Sequence, residues 1–326
     1  MESLDLKVLA DALAWKHAGH GVTLVTVVQT WGSAPRPPGA LLAVRCDGIV
    51  SGSVSGGCVE DDLIARIKSG ERTDQPSMIA YGVTQAEAAR FGIPCGGSLR
   101  LMQEPLTDTV WVEQILQRTA AHELVARTLT LSTGQVGLAA AQRSDTFAFD
   151  GVTIKTIFGP QWRLLLIGAG QLSQAVAQIA SMLDFEVLVC EPREEYAAML
   201  PACATRIPGM PDDVVRELKA DAHTAIVALT HDPKLDDMAL MEALRSNAFY
   251  VGALGSQRNT VTRKARLKEH FELTDVQLAR LHGPVGLWLG AKTPAEIAVS
   301  VVAQIVQVKN AVHTVADLPE PAQGLA

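Results

Sequence analysis

A short apolar run near the middle of the chain leads directly into a glycine-rich turn. The segment LLLIGAGQLS occupies residues 164–173 and predicts a strand, a tight turn and a helix. Gly168 and Gly170 allow a sharp turn and a close approach by a ligand, while the helix that begins at Gln171 offers unpaired N–H groups to a phosphate. The segment therefore predicts a Rossmann-type domain. The alternative is a tight packing turn that binds no ligand.

Two further positions bear on this interpretation. Ser173 stands where the dinucleotide-binding fingerprint prefers glycine or alanine. Glu191 ends the next predicted strand, about 20 residues further on, where an acid can accept hydrogen bonds from a ribose hydroxyl. Strand, turn, helix and acid together are more specific than the glycines alone.

Strands and helices are predicted to alternate from Arg163 onward. The predicted strands are 163–167, 186–190, 224–229 and 249–251, and the predicted helices are 171–183, 211–219, 236–246 and 256–270. Such alternation is typical of parallel strands joined by right-handed crossovers. We predict a doubly wound parallel sheet domain over residues 162–312, followed by a tail at 313–326.

The first half of the chain has a different pattern. We predict helices at 4–17, 59–67 and 109–119, and strands at 22–30, 39–45, 98–103, 127–132 and 152–158. This mixture predicts an α+β domain over residues 1–145, with 146–161 as a linker. The fold class is therefore α/β, with an N-terminal α+β domain followed by a Rossmann-like doubly wound parallel sheet domain.

Candidate ligand-binding residues follow the predicted strands of the second half, because ligands of open α/β sheets bind beyond the carboxyl ends of the strands. They are Gly168, Gly170, Gln171, Glu191, Arg193, His231, Asp232, Gly255, Ser256 and Arg258. Ser256 is also a natural helix cap, and Asp232 with Pro233 suits a turn equally well. A further alternative is that His231 acts as a general base.

The first half carries a proline-rich loop, GSAPRPPGA, at residues 32–40. The prolines limit the conformations open to Arg36 and so lower the entropy lost when it binds an anion. Ser33 and Arg36 are therefore candidate cofactor contacts. A solvated surface arginine is the alternative.

Two thiols lie beside glycine pairs, which allow another backbone or a ligand to come close. The segment GSVSGGCVE contains Gly56, Gly57 and Cys58, and the segment PCGG contains Cys95, Gly96 and Gly97. For each thiol the alternative is a small buried hydrophobic side chain.

Composition excludes several classes of protein. The formal net charge is −7 and there is no basic block, so we expect no nucleic-acid partner. The apolar runs fall short of the ~20 residues that cross a bilayer, and the first residues lack signal-peptide features, so we expect a cytoplasmic protein with no membrane partner. The five cysteines form no CxxC pair and no zinc-type spacing.

The assembled motifs resemble the XdhC/CoxI family, the molybdenum-cofactor-binding chaperones that mature xanthine dehydrogenase and related molybdenum hydroxylases. The resembling segments are GSAPRPPGA, GSVSGGCVE, PCGG, the turn at 164–173, Glu191-Pro192-Arg193, LTHDPKLD at 229–236, GALGSQRN at 252–259 and LHGPVGLWLGAKTPAEIAVS at 281–300. They extend over nearly the whole chain. The family's usual GLDIG-like step reads GLWLG here, and Gln304 stands where glutamate is common.

The resemblance implies a maturation chaperone rather than an enzyme. Such a protein binds the molybdenum cofactor, as molybdopterin or its cytosine dinucleotide form, protects it and delivers it to an apo-hydroxylase such as xanthine or aldehyde dehydrogenase. A cysteine desulfurase as second partner and a homodimer are also implied. We hypothesise that Cys58, with Cys95 as a second candidate near it, offers a soft sulfur to molybdenum.

Two other functions stay open at this point. An NAD(P)-dependent oxidoreductase would use the turn at Gly168 and Gly170. Alternatively, the N-terminal domain would serve only to dimerise and to dock a partner.

Overall fold

The computed structural model describes residues 3–31, 36–71, 74–82, 98–197, 200–230 and 232–310. The chain forms two compact units, Met1–Pro160 and Gln161–Ala326, which we call unit 1 and unit 2. Within the described residues, no helix is both long enough and apolar enough to span a bilayer.

Unit 1 contains two antiparallel sheets and three described helices. The strands of the first sheet are β1 (Val22–Thr30), β2 (Leu41–Arg45), β3 (Val50–Gly52), β4 (Ser77–Tyr81) and β5 (Leu99–Pro105), in the order β3-β2-β1-β5-β4. The strands of the second are β6 (Val125–Thr130), β7 (Val136–Ala140), β8 (Ala148–Phe149) and β9 (Thr153–Phe158), in the order β7-β6-β9-β8. The helices are α1 (Ser3–His17), α2 (Cys58–Lys68) and α3 (Val110–Ala120).

The segment 146–161 is expected to be a linker, but all of it except Gln161 belongs to unit 1. It contains the short strand β8 and the whole of β9, which pairs with β6 from Thr130↔Thr153 to Val125↔Phe158. Ile154 and Phe158 are buried in the core of the unit. An alternating strand with one buried face cannot act as a linker, so this prediction is corrected.

Unit 2 is built on a six-stranded sheet whose neighbouring strands are all parallel. The strands are β10 (Arg163–Ile167), β11 (Glu186–Cys190), β12 (Ala204–Ile207), β13 (Thr224–Ala228), β14 (Tyr250–Ala253) and β15 (Leu281–His282), in the order β12-β11-β10-β13-β14-β15. The helices are α4 (Gln171–Met182), α5 (Glu194–Ala197), α6 (Pro211–Leu218), α7 (Pro233–Arg245), α8 (Gln257–Phe271), α9 (Asp275–Ala279) and α10 (Pro294–Lys309). This confirms the predicted mixed α/β class.

The central strands of unit 2 are buried on both faces. All five residues of β10 and of β13 are buried. Leu165 and Ile167 pack in one core with residues of α6, α7 and α8, and Leu164 and Leu166 pack in another core with residues of α4 and α10. Helices therefore cover both faces, which explains why these strands read as unbroken apolar runs.

The strand order reverses at the boundary between β10 and β13. The chain runs from β10 to β11 and β12 on one side, and then continues from β13 to β15 on the other. Such a switch point opens a crevice at the carboxyl ends of the two strands. The predicted ligand-binding loops of unit 2 all follow strands of this sheet.

Candidate functional site

The glycine-rich turn follows β10 at the switch point. Gly168 has φ +102°, and a Cβ on it would lie 2.9 Å from Cγ2 of Thr230, so glycine is required there. Gly170 is the N-cap of α4. Among the described residues, no side chain caps that helix, and no atom beyond the two chain neighbours of Gly170 lies within 4 Å of a Cβ built on it. Gln171 begins the helix and is exposed. In the described part of the chain, the amides at the N-terminus of α4 therefore have no side-chain cap.

Glu191 follows β11 and is fully buried, with 0% of its surface exposed. Its carboxylate accepts from the amides of Ala169 at 3.0 Å and Arg193 at 3.1 Å, and from Nε and Nη2 of Arg193 at 2.8 and 2.9 Å. Burial alone would raise the pKa of Glu191, but these hydrogen bonds, those from Arg193 foremost, hold it below its ordinary value. Glu191 thus ties the end of β11 to the glycine-rich turn.

Hydrogen bonds between Thr230 and Asp236 fix the loop after β13 in a similar way. The Asp236 carboxylate is 0% exposed and accepts from the Thr230 amide at 3.2 Å and the Thr230 hydroxyl at 2.7 Å. Burial raises the pKa of Asp236 above its usual range, although Thr230 and Arg263 oppose the rise. Asp232, predicted to bind a ligand, caps α7 by accepting from the Lys234 amide at 2.9 Å. This helix begins three residues before the predicted start at Asp236.

Arg263 on α8 connects Asp236 to the loop after β14. Its Nη2 donates to Asp236 at 3.0 Å and its Nη1 donates to the carbonyl of Leu254 at 2.9 Å. The Arg263 side chain is 8% exposed, and its Nε lies 3.3 Å from Oδ1 of Asp237. The loops after β13 and β14 are therefore fixed to each other by one buried guanidinium.

The loop after β14 leads into α8 at Ser256. The Ser256 hydroxyl caps this helix by accepting from the Asn259 amide at 3.1 Å, which is the cap expected from the sequence. Gly255 has φ +154° and Arg258 is exposed in the first turn of the helix. The structure thus places the described candidates of unit 2 in the loops at the carboxyl ends of β10, β11, β13 and β14 or in the first turn of the helix that follows.

In unit 1, the backbone before α2 wraps around the carboxylate of Glu60. Glu60 Oε1 accepts from the amides of Val54, Ser55 and Gly56 and from the Ser53 hydroxyl, at 2.8 to 2.9 Å. Glu60 Oε2 accepts from the Gly57 amide at 2.9 Å and from the Ser55 hydroxyl. We call this arrangement of residues 53–57 around Glu60 the Glu60 nest.

The electrostatics of the Glu60 nest favour a charged carboxylate. Burial alone would raise the pKa of Glu60, but the Ser55 hydroxyl and the amides of residues 55–57 overcome this and lower it to about 2. Gly56 and Gly57, predicted to contact a cofactor, therefore have their amides engaged by Glu60. A carboxylate of the chain itself therefore already occupies this nest of amides.

Cys58 is the first residue of α2 and is exposed, so its thiol is accessible to solvent. This excludes the small buried hydrophobic side chain as an account of Cys58. In the described part of the chain, no group of three or more His, Cys, Asp or Glu side chains could hold a metal ion.

Arg36, predicted to contact a cofactor, has an acidic neighbour within its own unit. Its guanidinium Nη2 is 3.5 Å from Oδ1 of Asp5 on α1, and its side chain is 14% exposed. Asp5 in turn accepts from the Leu41 amide at 3.1 Å. The charge of Arg36 is thus used within unit 1, joining its loop to α1 and β2. Four further candidates, Ser33, Cys95, Gly96 and Gly97, lie outside the described residues, as does His231.

The two departures from the family pattern have distinct structural settings. Trp288 is 97% exposed. Gln304 on α10 uses Oε1 to accept from the Tyr250 hydroxyl and from the Gly286 amide, the latter at 2.8 Å. An amide oxygen therefore meets both donors that surround position 304.

Sequence reasoning missed the residues that hold these loops. Glu60 carried a signal, because a glutamate three residues after a helix cap is typical of a capping box. Arg263 carried none, because its partners Asp236 and Leu254 are brought to it only by the fold.

Comparison with known proteins gives consistent results over most of the chain. The family model described as the XdhC Rossmann domain matches residues 164–305, and the model described as the XdhC and CoxI family matches residues 15–82. Together the two matches cover more than half of the chain.

Two relatives align over most of their length. A protein of Bacillus subtilis (strain 168), named as a probable xanthine dehydrogenase subunit, is 29% identical, covering 90% of this chain and 94% of the relative. The molybdenum cofactor insertion chaperone PaoD of Escherichia coli (strain K12) is 27% identical, covering 90% of this chain and 85% of the relative.

A solved structure has the same fold. The crystal structure described as a xanthine dehydrogenase from Bacillus halodurans superposes with a TM-score of 0.76 at 24% identity, and covers 98% of both chains. The two family matches, in order along the chain and one in each unit, show that this protein belongs to the XdhC and CoxI family.

Proposed function

We propose that this protein binds the molybdenum cofactor, protects it and delivers it to an apo molybdenum hydroxylase of the xanthine or aldehyde dehydrogenase class. Family membership and the relative named as a cofactor insertion chaperone support this proposal. The observation that carries it is the uncapped N-terminus of α4 at the switch point of unit 2. Both forms of the cofactor contain phosphate, which is the group that such a helix end binds.

The state of the polar side chains favours a carrier over a catalyst. Glu191 and Asp236 are fully buried and engaged by Arg193, Thr230 and Arg263, and Asp232 caps α7. A general acid or base must reach the proton that it transfers. These carboxylates instead fix the loops that would surround a bound molecule.

The first test is the pterin content of the full-length protein purified from a cofactor-producing host, measured by oxidation to the fluorescent pterin. Released cytosine nucleotide, assayed separately, identifies the form of the cofactor. We expect near-stoichiometric pterin. Absence of pterin after anaerobic incubation with free cofactor would contradict the proposal.

A substitution at Gly170 tests the phosphate contact. Gly170 has φ −66° and ψ 176°, which suits an aspartate N-cap, and the space for a side chain is open. Gly170→Asp should therefore keep or raise the melting temperature but lower pterin occupancy about tenfold or more, because its carboxylate repels the phosphate. Gly170→Asn, an uncharged cap of the same size, is the control and should lose less. Equal pterin content in Gly170→Asp and the unmodified protein would contradict the phosphate contact.

A second substitution tests the thiol. If Cys58 contacts molybdenum, Cys58→Ser should lose molybdenum faster in air than the unmodified protein, because a hydroxyl is a harder and weaker ligand. Cys203→Ser, which changes an exposed thiol in unit 2, is the matched control. Metal analysis against time after air exposure gives the answer. Identical loss from both variants would remove Cys58 from the proposal.

We also propose that the protein binds an apo-hydroxylase and a cysteine desulfurase, and that it forms a homodimer. Pull-down of the apo-hydroxylase and of a cysteine desulfurase by the cofactor-loaded protein tests both interactions. Light scattering of the purified chain tests the expected homodimer.

A further inference from the structure

The parallel sheet and glycine-rich turn of unit 2 are features that it shares with domains that bind nicotinamide dinucleotides, and Glu191 occupies the position that would bind the adenosine ribose of such a cofactor. That position requires a carboxylate with free acceptor sites facing the crevice. The structure allows a direct check of this requirement, because both oxygens of the Glu191 carboxylate have defined hydrogen-bond donors.

The acceptor capacity of Glu191 is fully used. A carboxylate offers about four lone-pair sites. Glu191 Oε1 accepts from the amide and Nε of Arg193, and Oε2 accepts from Nη2 of Arg193 and the Ala169 amide. With 0% of the residue exposed, a ribose diol finds neither a free lone pair nor access.

Neighbouring groups hold Arg193 in this position. The Arg193 guanidinium carbon lies 4.2 Å from the centroid of the Tyr196 ring, a cation–π contact. Arg206 donates from Nη2 to the carbonyl of Glu191 at 3.2 Å and from both Nη atoms to Glu194. The segment from Glu191 to Tyr196 is therefore fixed at both its backbone and its side chains.

We propose that Arg193 is a specificity-determining residue that closes unit 2 to the ribose diol of NAD by saturating Glu191. A dinucleotide would have to displace the Arg193 guanidinium and replace its two hydrogen bonds to Glu191 with two from ribose hydroxyls. Each new bond has an uncharged donor, and the exchange separates a pair of opposite charges, which is unfavourable. The glycine-rich turn stays available to a phosphate, because this exchange involves neither Gly168 nor Gly170. The inference holds independently of the proposed cargo.

Titration of the full-length protein with NAD⁺, followed by calorimetry and by melting temperature, tests the proposal. The unmodified protein should show no heat of binding and no shift at millimolar NAD⁺. Arg193→Ala removes both side-chain donors from Glu191 and should bind NAD⁺ with an apparent Kd at least about tenfold lower than that of the unmodified protein. Arg193→Lys, which retains a cation beside Glu191, is the control and should show no NAD⁺ binding.

Two outcomes would overturn the proposal. One is stabilisation of the unmodified protein by NAD⁺ that disappears in Glu191→Gln, which would show that the diol reaches this carboxylate. The other is equal absence of binding in the unmodified protein and in a folded Arg193→Ala. If Arg193→Ala does not fold, Arg193→Gln, whose amide is a shorter, uncharged donor, takes its place with the same expectation.

Discussion

Replacing Asp236 with alanine should lower the free energy of unfolding of unit 2 by about 3 kcal/mol or more, because the change leaves a buried guanidinium without its main partner. Asp236 is 0% exposed and Arg263 is 8% exposed. The substitution also frees the amide and hydroxyl of Thr230. Asp237, whose Oδ1 is 3.3 Å from Arg263 Nε, compensates only in part.

Hydrogen exchange of peptides covering β13 and β14, in the full-length protein under increasing urea, measures this effect locally. Asp213→Ala is the matched control, because Asp213 is 58% exposed and pairs with the exposed Arg216. The control should change stability by at most about 0.5 kcal/mol. Similar losses in the two variants would mean that the buried pair contributes no more than a surface pair.

Replacing Glu60 with alanine should destabilise unit 1 by about 2 kcal/mol or more, because charge-assisted hydrogen bonds are lost and their donors are left unpaired. The donors are the four amides of residues 54–57 and the hydroxyls of Ser53 and Ser55. The vacated nest should then accept a small carboxylate from solution. Acetate or formate should raise the melting temperature of Glu60→Ala more than chloride does at the same ionic strength.

The rescue has its own control. Glu71→Ala removes an exposed carboxylate that pairs with Arg66, and leaves no nest behind. Acetate should not stabilise that variant or the unmodified protein. An equal response to acetate in all three proteins would contradict the assignment of Glu60 as an internal anion.

The pH dependence of Glu60→Gln gives a second measurement of the same interaction. The folded pKa of about 2 lies below the ordinary value of 4.5, so the stability from Glu60 is fully present above pH 4.5 and declines as the pH falls towards 2. Glutamine does not titrate. The unmodified protein and Glu60→Gln should therefore differ in free energy of unfolding by about 1 kcal/mol less at pH 3.5 than at pH 7. A constant difference would contradict the lowered pKa.

The central elements of both units were predictable because each carries a strong local pattern. The strands β1, β10 and β11 begin and end where the sequence predicts. The weaker strands were missed. For example, β7 is half exposed, and β12 and β15 are short edge strands with four and two residues. Such strands form because a neighbour offers free hydrogen-bonding groups, which no local pattern reports.

The candidate site was predicted at the level of loops, but not at the level of pairing. The sequence correctly placed Gly168, Gly170 and Ser256 at a strand–turn–helix junction and at a helix cap. It did not reveal that Arg36 pairs with Asp5, or that Glu191 is saturated by Arg193. A charged residue in a flexible-looking loop gives the same sequence signal whether it awaits a ligand or already has an internal partner.

Because position 304 is a glutamine, the hydrogen bonds that its side chain makes within unit 2 do not depend on pH. Its Oε1 receives the Tyr250 hydroxyl and the Gly286 amide, two donors from segments far apart in the chain. A carboxylate in this place would gain a proton at low pH. Its new O–H group would then be a third donor beside the Tyr250 hydroxyl and the Gly286 amide, with fewer acceptor sites left for these two. The amide has no such transition, so the attachment of α10 to the segment at Gly286 keeps its strength across the whole pH range in which the fold survives.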